Sequence, residues 1–391
     1  MSWLATEAEL LKFCRLLGAE ADELPFLRSL PPRDIRLLRQ TLWAQRQRHD
    51  ARHLRPLLGL ARWLPASLAA WSCERFLGLP LVAALAGELA LQQTLAIARL
   101  LTPARLADVC AELDPRAAHD LVHVLPEARV VAVAQVLLQR GDHLTLGRFA
   151  DHLGDAALVA VLGVIEHDAD LLHTMFFIES RSRLDHILRL LPAQRRQGLM
   201  QQLLDADATQ LQQLMFLLSS VSPALQGELA TLAAQDMTML ARLLELTRQG
   251  SYWADMLPLL FALGEADQRR LLALPVWQEQ PELLEHLLQV ADSEQHWLAA
   301  LPLCARMSEP LQQRCAQLVA GLPQGLENAT RAALTGEYWD IWLRLLAMMP
   351  EIRQEDFARL LDQYGAVDPG LRQRVLRQAE QLRPQQVADL P

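Results

Sequence analysis

The chain has almost no lysine, few aromatics and no uninterrupted apolar run. Of its 37 basic residues, 36 are Arg and only Lys12 is Lys. Aromatics make up 5% of its 391 residues, although 51% are hydrophobic. No run of Val, Ile, Thr or Tyr alternates with period 2 for more than a few residues, which argues against a sheet. The stretch nearest to a membrane span, Phe76 to Leu101, is broken by Glu88, Gln92, Gln93 and Arg99 and contains Pro80 and Gly87. A spanning helix needs about 20 mostly apolar residues, so two buried helices and no membrane span are expected there. The first residues, Met1 to Glu7, have neither a basic region nor an apolar one, and no secretory signal is read. Five scattered cysteines without a C-x-x-C pair point to buried thiols in a reducing compartment, so a cytoplasmic location is expected. Nucleophile elbow, phosphate-binding glycine loop, zinc-ribbon spacing and dinucleotide fingerprint are all missing, which counts against the common enzyme classes.

What is present is helical and repetitive. Leu, Ala, Gln, Arg and Glu dominate, and all lose little rotamer freedom in a helix. One phrase recurs at Leu106–Leu113, Leu146–Leu153 and Leu184–Leu191, at spacings of 40 and 38 residues, each time followed by a breaker or capping pair. Further on, Trp253 precedes Leu257-Pro258 and Trp297 precedes Leu301-Pro302, 44 residues apart, with Trp342 another 45 on. Their shared register assigns these tryptophans to one core slot in successive repeats. The prolines, including Pro258 and Pro302, are read as marks between helices.

A period of 40 to 47 residues belongs to HEAT and armadillo arrays. The fold class expected is all-α, a right-handed superhelical solenoid of helical hairpins, because a lone hairpin cannot bury its apolar stripe and stacking joins the stripes into one core. Residues 1–75 fit the register poorly and are read as an Arg-rich N-terminal cap or subdomain. Residues 76–391 are read as the repeats, closed by a capping helix after Pro369.

The run from Arg183 through Leu184-Asp185-His186, Pro192 and Arg195-Arg196 to Leu204 has the cadence of a short helix, a Leu-Pro break and an Arg-rich helix. From Leu106 to about Leu204 the chain resembles the N-terminal superhelical domain of MgtE-type magnesium transporters. The resemblance covers about a quarter of the chain, rests on packing positions and implies a superhelix. The family's acidic metal positions do not map onto this sequence, and nothing in it resembles the transporter's membrane domain.

Seven of the eleven histidines lie between His119 and His186. His119 and His123, at i and i+4, have a metal-ligand spacing, but Asp120-Leu121-Val122 lacks the glutamate of a metallohydrolase motif. Glu166-His167-Asp168, followed by Asp170 and His173, contains a His-Asp dyad of the kind used by metal-dependent phosphohydrolases. The alternative is a polar turn in which Asp168 or Asp170 caps a helix. No catalytic residue, cofactor or metal ligand is assigned.

The strongest surface signal is charge. From Arg28 to Arg62 nine arginines face two acids, a net +7, leaving −16 for the rest of a chain whose total is −9. Arg33, Arg36 and Arg39 line up along one helix side, and Arg48, Arg52 and Arg55 continue the series. These six are the candidate partner-binding residues. Three readings stay open for them: a solvated face, a dock for an acidic protein, or phosphate contacts on nucleic acid. The function expected first is a non-enzymatic protein-interaction scaffold or adaptor. A nucleic-acid-binding or DNA-repair protein is the alternative, and a metal-dependent hydrolase using the histidine-rich middle comes third.

Overall fold

The computed structural model describes residues 3–61, 63–205, 208–234, 236–250, 253–292, 294–365 and Val375. Apart from Val375, the capping helix expected after Pro369 lies outside the described residues. Among the described residues the fold is all-α, with 25 α-helices, two short 3-10 turns and no strand. The chain forms two compact units, Met1–Ser222 and Pro223–Pro391. The Arg-rich N-terminal stretch lies within the first unit.

The first unit contains α1 (Trp3–Leu17), α2 (Pro32–Ala61), α3 (Ala66–Arg75), α4 (Leu79–Glu88), α5 (Leu91–Ala98), α6 (Pro103–Glu112) and α7 (His119–Val124). It continues with α8 (Glu127–Gln139), α9 (His143–Ala150), α10 (Asp155–Val164), α11 (Asp168–Phe176), α12 (Arg181–Leu190), α13 (Ala193–Asp205) and α14 (Ala208–Ser220). The apolar stretch from Phe76 to Leu101 folds as α4 and α5, and among the described residues no helix is long and apolar enough to cross a membrane.

The recurring phrase falls on α6, α9 and α12, three helices apart, and its leading and closing leucines at 106, 113, 146, 153, 184 and 191 are all buried. Helices two apart pack on one another, as α4 on α6, α6 on α8, α8 on α10 and α9 on α11.

Arginines tie five helices of this unit, α6, α8, α9, α12 and α13, to the one three before. Arg105 of α6 donates to the Cys73 and Leu77 carbonyls at the end of α3. Arg129 of α8 donates to Ala98 and Leu101 after α5, and Arg148 of α9 to Leu113 after α6. Arg183 of α12 reaches Ala150 and Leu153 after α9, and Arg195 of α13 reaches Leu162 and Ile165 after α10. The last carbonyls of a helix have no intrahelical partner and carry partial negative charge. A guanidinium, with its planar fork of donors, satisfies two of them at once. The Arg-rich helices of the sequence therefore serve packing.

The second unit contains α15 (Pro223–Ala234), α16 (Met237–Gly250), α17 (Trp253–Ala262), α18 (Glu265–Leu272), α19 (Val276–Glu279) and α20 (Glu282–Ala291). It continues with α21 (Glu294–Cys304), α22 (Glu309–Gly321), α23 (Gly325–Gly336), α24 (Trp339–Ala347) and α25 (Glu351–Gly365). Trp253, Trp297 and Trp342 are buried core residues, as their shared register implies. Pro258 and Pro302 differ from expectation, because they sit inside α17 and α21 instead of ending a helix. An interior proline costs about 3 kcal/mol. Here buried residues on both sides of each proline, Leu257 with Leu259 and Leu301 with Leu303, keep the segment helical because tertiary burial outweighs local preference.

Candidate functional site

The arginine series divides once folded. Arg33 stays largely exposed, 3.5 Å from Asp34. Arg36 and Arg39 turn inward. Arg39, 4% exposed, donates to Glu9 at 3.0 Å and to Glu179 at 2.6 Å; Arg36 donates to Glu9 at 2.9 Å. Lys12 completes the network, 3.0 Å from Glu9 and 3.5 Å from Glu179. Burial alone would raise the carboxyl pKa of Glu179, but Lys12, Arg39 and Arg36 outweigh it and hold the group well below the usual range. Glu9 is lowered in the same way, again against its own desolvation. This network fastens α1 and α2 to the segment between α11 and α12. Spacing by threes predicts one common face, whereas Arg33 stays exposed while Arg36 and Arg39 meet Glu9 and Glu179, which are distant in sequence. The side chains of Arg48, Arg52 and Arg55 lie outside the described residues.

Apolar side chains, by contrast, come to the surface in the same part of the chain. Among the described residues, ten of the fourteen large hydrophobics that are exposed fall between Leu17 and Leu100. On α3, Ala70 and Cys73 face the core, while Leu68, Trp71 and Arg75 share the opposite side at i, i+3 and i+7. Phe76 packs edge-on against Trp71, with ring centroids 4.9 Å apart. Trp63, just before this helix, is 90% exposed.

The histidine-rich middle gives two clusters. His119 and His123 lie on α7, ring centroids 4.5 Å apart, and His152 brings its Nδ1 to 3.3 Å from His119 Nδ1. Burial, followed by the neighbouring His119, lowers the His152 pKa. Among the described residues, the one group of three with metal-ligand geometry is His143, Asp170 and His173, whose ligand atoms all lie within 4.8 Å of one another. His143 Nε2 is 3.5 Å from Asp170 Oδ1, and burial lowers its pKa.

The His167-Asp168 dyad goes elsewhere. Asp168 accepts from Arg195 Nε at 3.1 Å and abuts Gly198, where any Cβ would come within 2.7 Å of its Oδ2. His167 occupies the N-cap position of α11 without a side-chain capping bond, and Asp168 and Asp170 lie in the first turn. There their negative charge favours the positive helix end. The sequence singled out Asp170 and His173 but not His143; its signal is Asp142-His143 opening a helix directly after Gly141.

The class of protein that this fold defines is an all-α protein with recurring helical units. Neither a family model, nor a curated protein, nor a solved structure matches the chain, so the family likenesses drawn from its sequence have no independent support.

Proposed function

We propose that this chain is a non-enzymatic adaptor whose units are right-handed superhelical solenoids of the HEAT/armadillo kind, and that it works in the cytoplasm by holding another protein. The packing of helices two apart, the recurrence of one phrase on every third helix, and the buried free cysteines support this architecture and address. One observation carries the functional reading: α3 turns Leu68 and Trp71 outward, with Phe76 against them and Trp63 beside the helix in sequence. Contiguous exposed apolar surface marks interaction sites, and tryptophan is enriched among residues that dominate binding energy. Arg75 on the same helix side adds a cationic contact, which suits a partner with apolar anchors and an acidic rim. The nucleic-acid alternative would use Arg33, Arg36 and Arg39 as phosphate ligands, and two of those guanidiniums already serve Glu9 and Glu179.

The test places a photo-crosslinking benzoylphenylalanine at position 71 in cells, with the exposed position 159 as control. A defined adduct with a different protein from position 71 only, lost when Leu68 becomes Glu, is the expected result. Equal adducts from both positions, or adducts only between copies of this chain, would refute the reading.

A further inference from the structure

His143 and the pair Asp170 and His173 are brought together by a close helix approach. Asp142 fixes the start of α9 by accepting from the Thr145 N–H at 3.1 Å and its hydroxyl at 2.8 Å, and Arg15 of α1 holds the same carboxylate at 2.7 Å. His143 follows as the first residue of the helix. One turn on, Gly147 lies so near α11 that a Cβ there would come within 2.4 Å of the Thr174 carbonyl oxygen and 2.8 Å of Phe177 Cβ. Only glycine allows that approach, and it sets His143 against the α11 face on which Asp170 and His173, at i and i+3, sit together.

His143 and His173 border a cleft of about 600 Å³, whose walls also include Asp142, Phe177 and Gln213, and Asp170 Oδ1 lies 3.5 Å from His143 Nε2. Two polar atoms there lack a partner. His143 Nδ1 is buried with no hydrogen bond, and so is the side-chain oxygen of Gln213, a residue 8% exposed. Buried polar groups in proteins are nearly always satisfied. Two orphans on one cleft mark it as a polar site; the ring nitrogen of His143 that faces Asp170 is the other one, Nε2.

We propose that His143, Asp170 and His173 bind a divalent transition-metal ion of the zinc class. Two imidazoles and one carboxylate are a ligand set for such ions, with the fourth position left to water on the cleft side. Ligands about 2.05 Å from a tetrahedral ion lie about 3.3 Å apart. The His143–Asp170 separation of 3.5 Å is already close to that edge, and all three ligand atoms lie within 4.8 Å of one another. This inference stands independently of the adaptor surface on α3.

The test titrates the metal-stripped full chain with Zn²⁺ against a chromogenic chelator, and with Co²⁺ while recording its visible absorption. One equivalent per chain is expected, with a d–d band indicating four or five ligands. Asp170→Asn, which keeps the shape, and His173→Gln should each weaken binding about 100-fold while the thermal midpoint of the metal-free protein stays near wild type. His119→Ala with His123→Ala should leave binding unchanged. Binding that survives both cleft variants, binding that disappears with the His119 and His123 changes, or the absence of a stoichiometric ion would each overturn the assignment.

Discussion

The two units hold their helices in register by different means. In the first, arginines near helix starts reach back three helices to carbonyls about 30 residues away. In the second, Arg306 also reaches back, to Gln268 and Glu265 on α18, and glutamines add local bonds. Gln268 donates to the Leu260 and Phe261 carbonyls, Gln312 to Cys304 and Met307, and Gln354 to Met349, each reaching the helix immediately before its own. The buried Gln226 occupies the same fourth position of α15, so the glutamines recur at intervals of 42, 44 and 42 residues. Indole N–H groups add to this: Trp297 donates to Asp292, and Trp342 to Thr330. The network of Glu9, Glu179, Lys12 and Arg39 belongs to the first unit, and the buried tryptophans, among the described residues, all lie in the second.

Breaking each unit at its own fastening should separate these two designs. The largest effects are expected from the buried charges and the buried indoles. Glu9→Gln leaves Glu179 as the one carboxylate facing Lys12, Arg36 and Arg39 and should cost about 3–5 kcal/mol in urea unfolding followed in the first unit. Trp342→Ala should cost about 3–5 kcal/mol in the second unit through lost burial and a cavity. Hydrogen exchange localises each loss to its own unit. Gly147→Ala comes next, at about 1–3 kcal/mol, because the added methyl meets backbone that cannot step aside.

Acid sharpens the comparison further. Glu9 and Glu179 titrate lower in the folded chain than in an unfolded one, so below about pH 5 the unfolded state binds more protons and the first unit loses stability as pH falls. The urea midpoint of the first unit should fall between pH 5 and pH 3, and Glu179→Gln should flatten that slope. A midpoint independent of pH, or one that drops equally in the variant, would assign the acid sensitivity to other groups. The smallest effect is expected from Gln312→Ala, about 1 kcal/mol per lost amide hydrogen bond, confined to the second unit.

Much of this was legible before folding. The 38- to 45-residue period, the helical character and the core placement of Trp253, Trp297 and Trp342 follow from spacing, because a residue repeated in one register meets the same surroundings. Pro258 and Pro302 were misjudged as helix boundaries because burial on either side of them is not a local property. Spacing puts Arg33, Arg36 and Arg39 along one helix side, but it does not name what that side meets. His143 was passed over among seven histidines, since its partners lie 27 and 30 residues away on another helix.

By itself, the sequence determined an all-α chain of recurring helices with an excess of positive charge between Arg28 and Arg62, since periodicity, propensity and composition act over a few turns. Tertiary structure decided which arginines are buried, which tryptophans meet solvent, and that His143 stands beside Asp170 and His173. Those outcomes depend on how closely helices approach, and a glycine contact such as that of Gly147 on Thr174 exists only once both helices are in place.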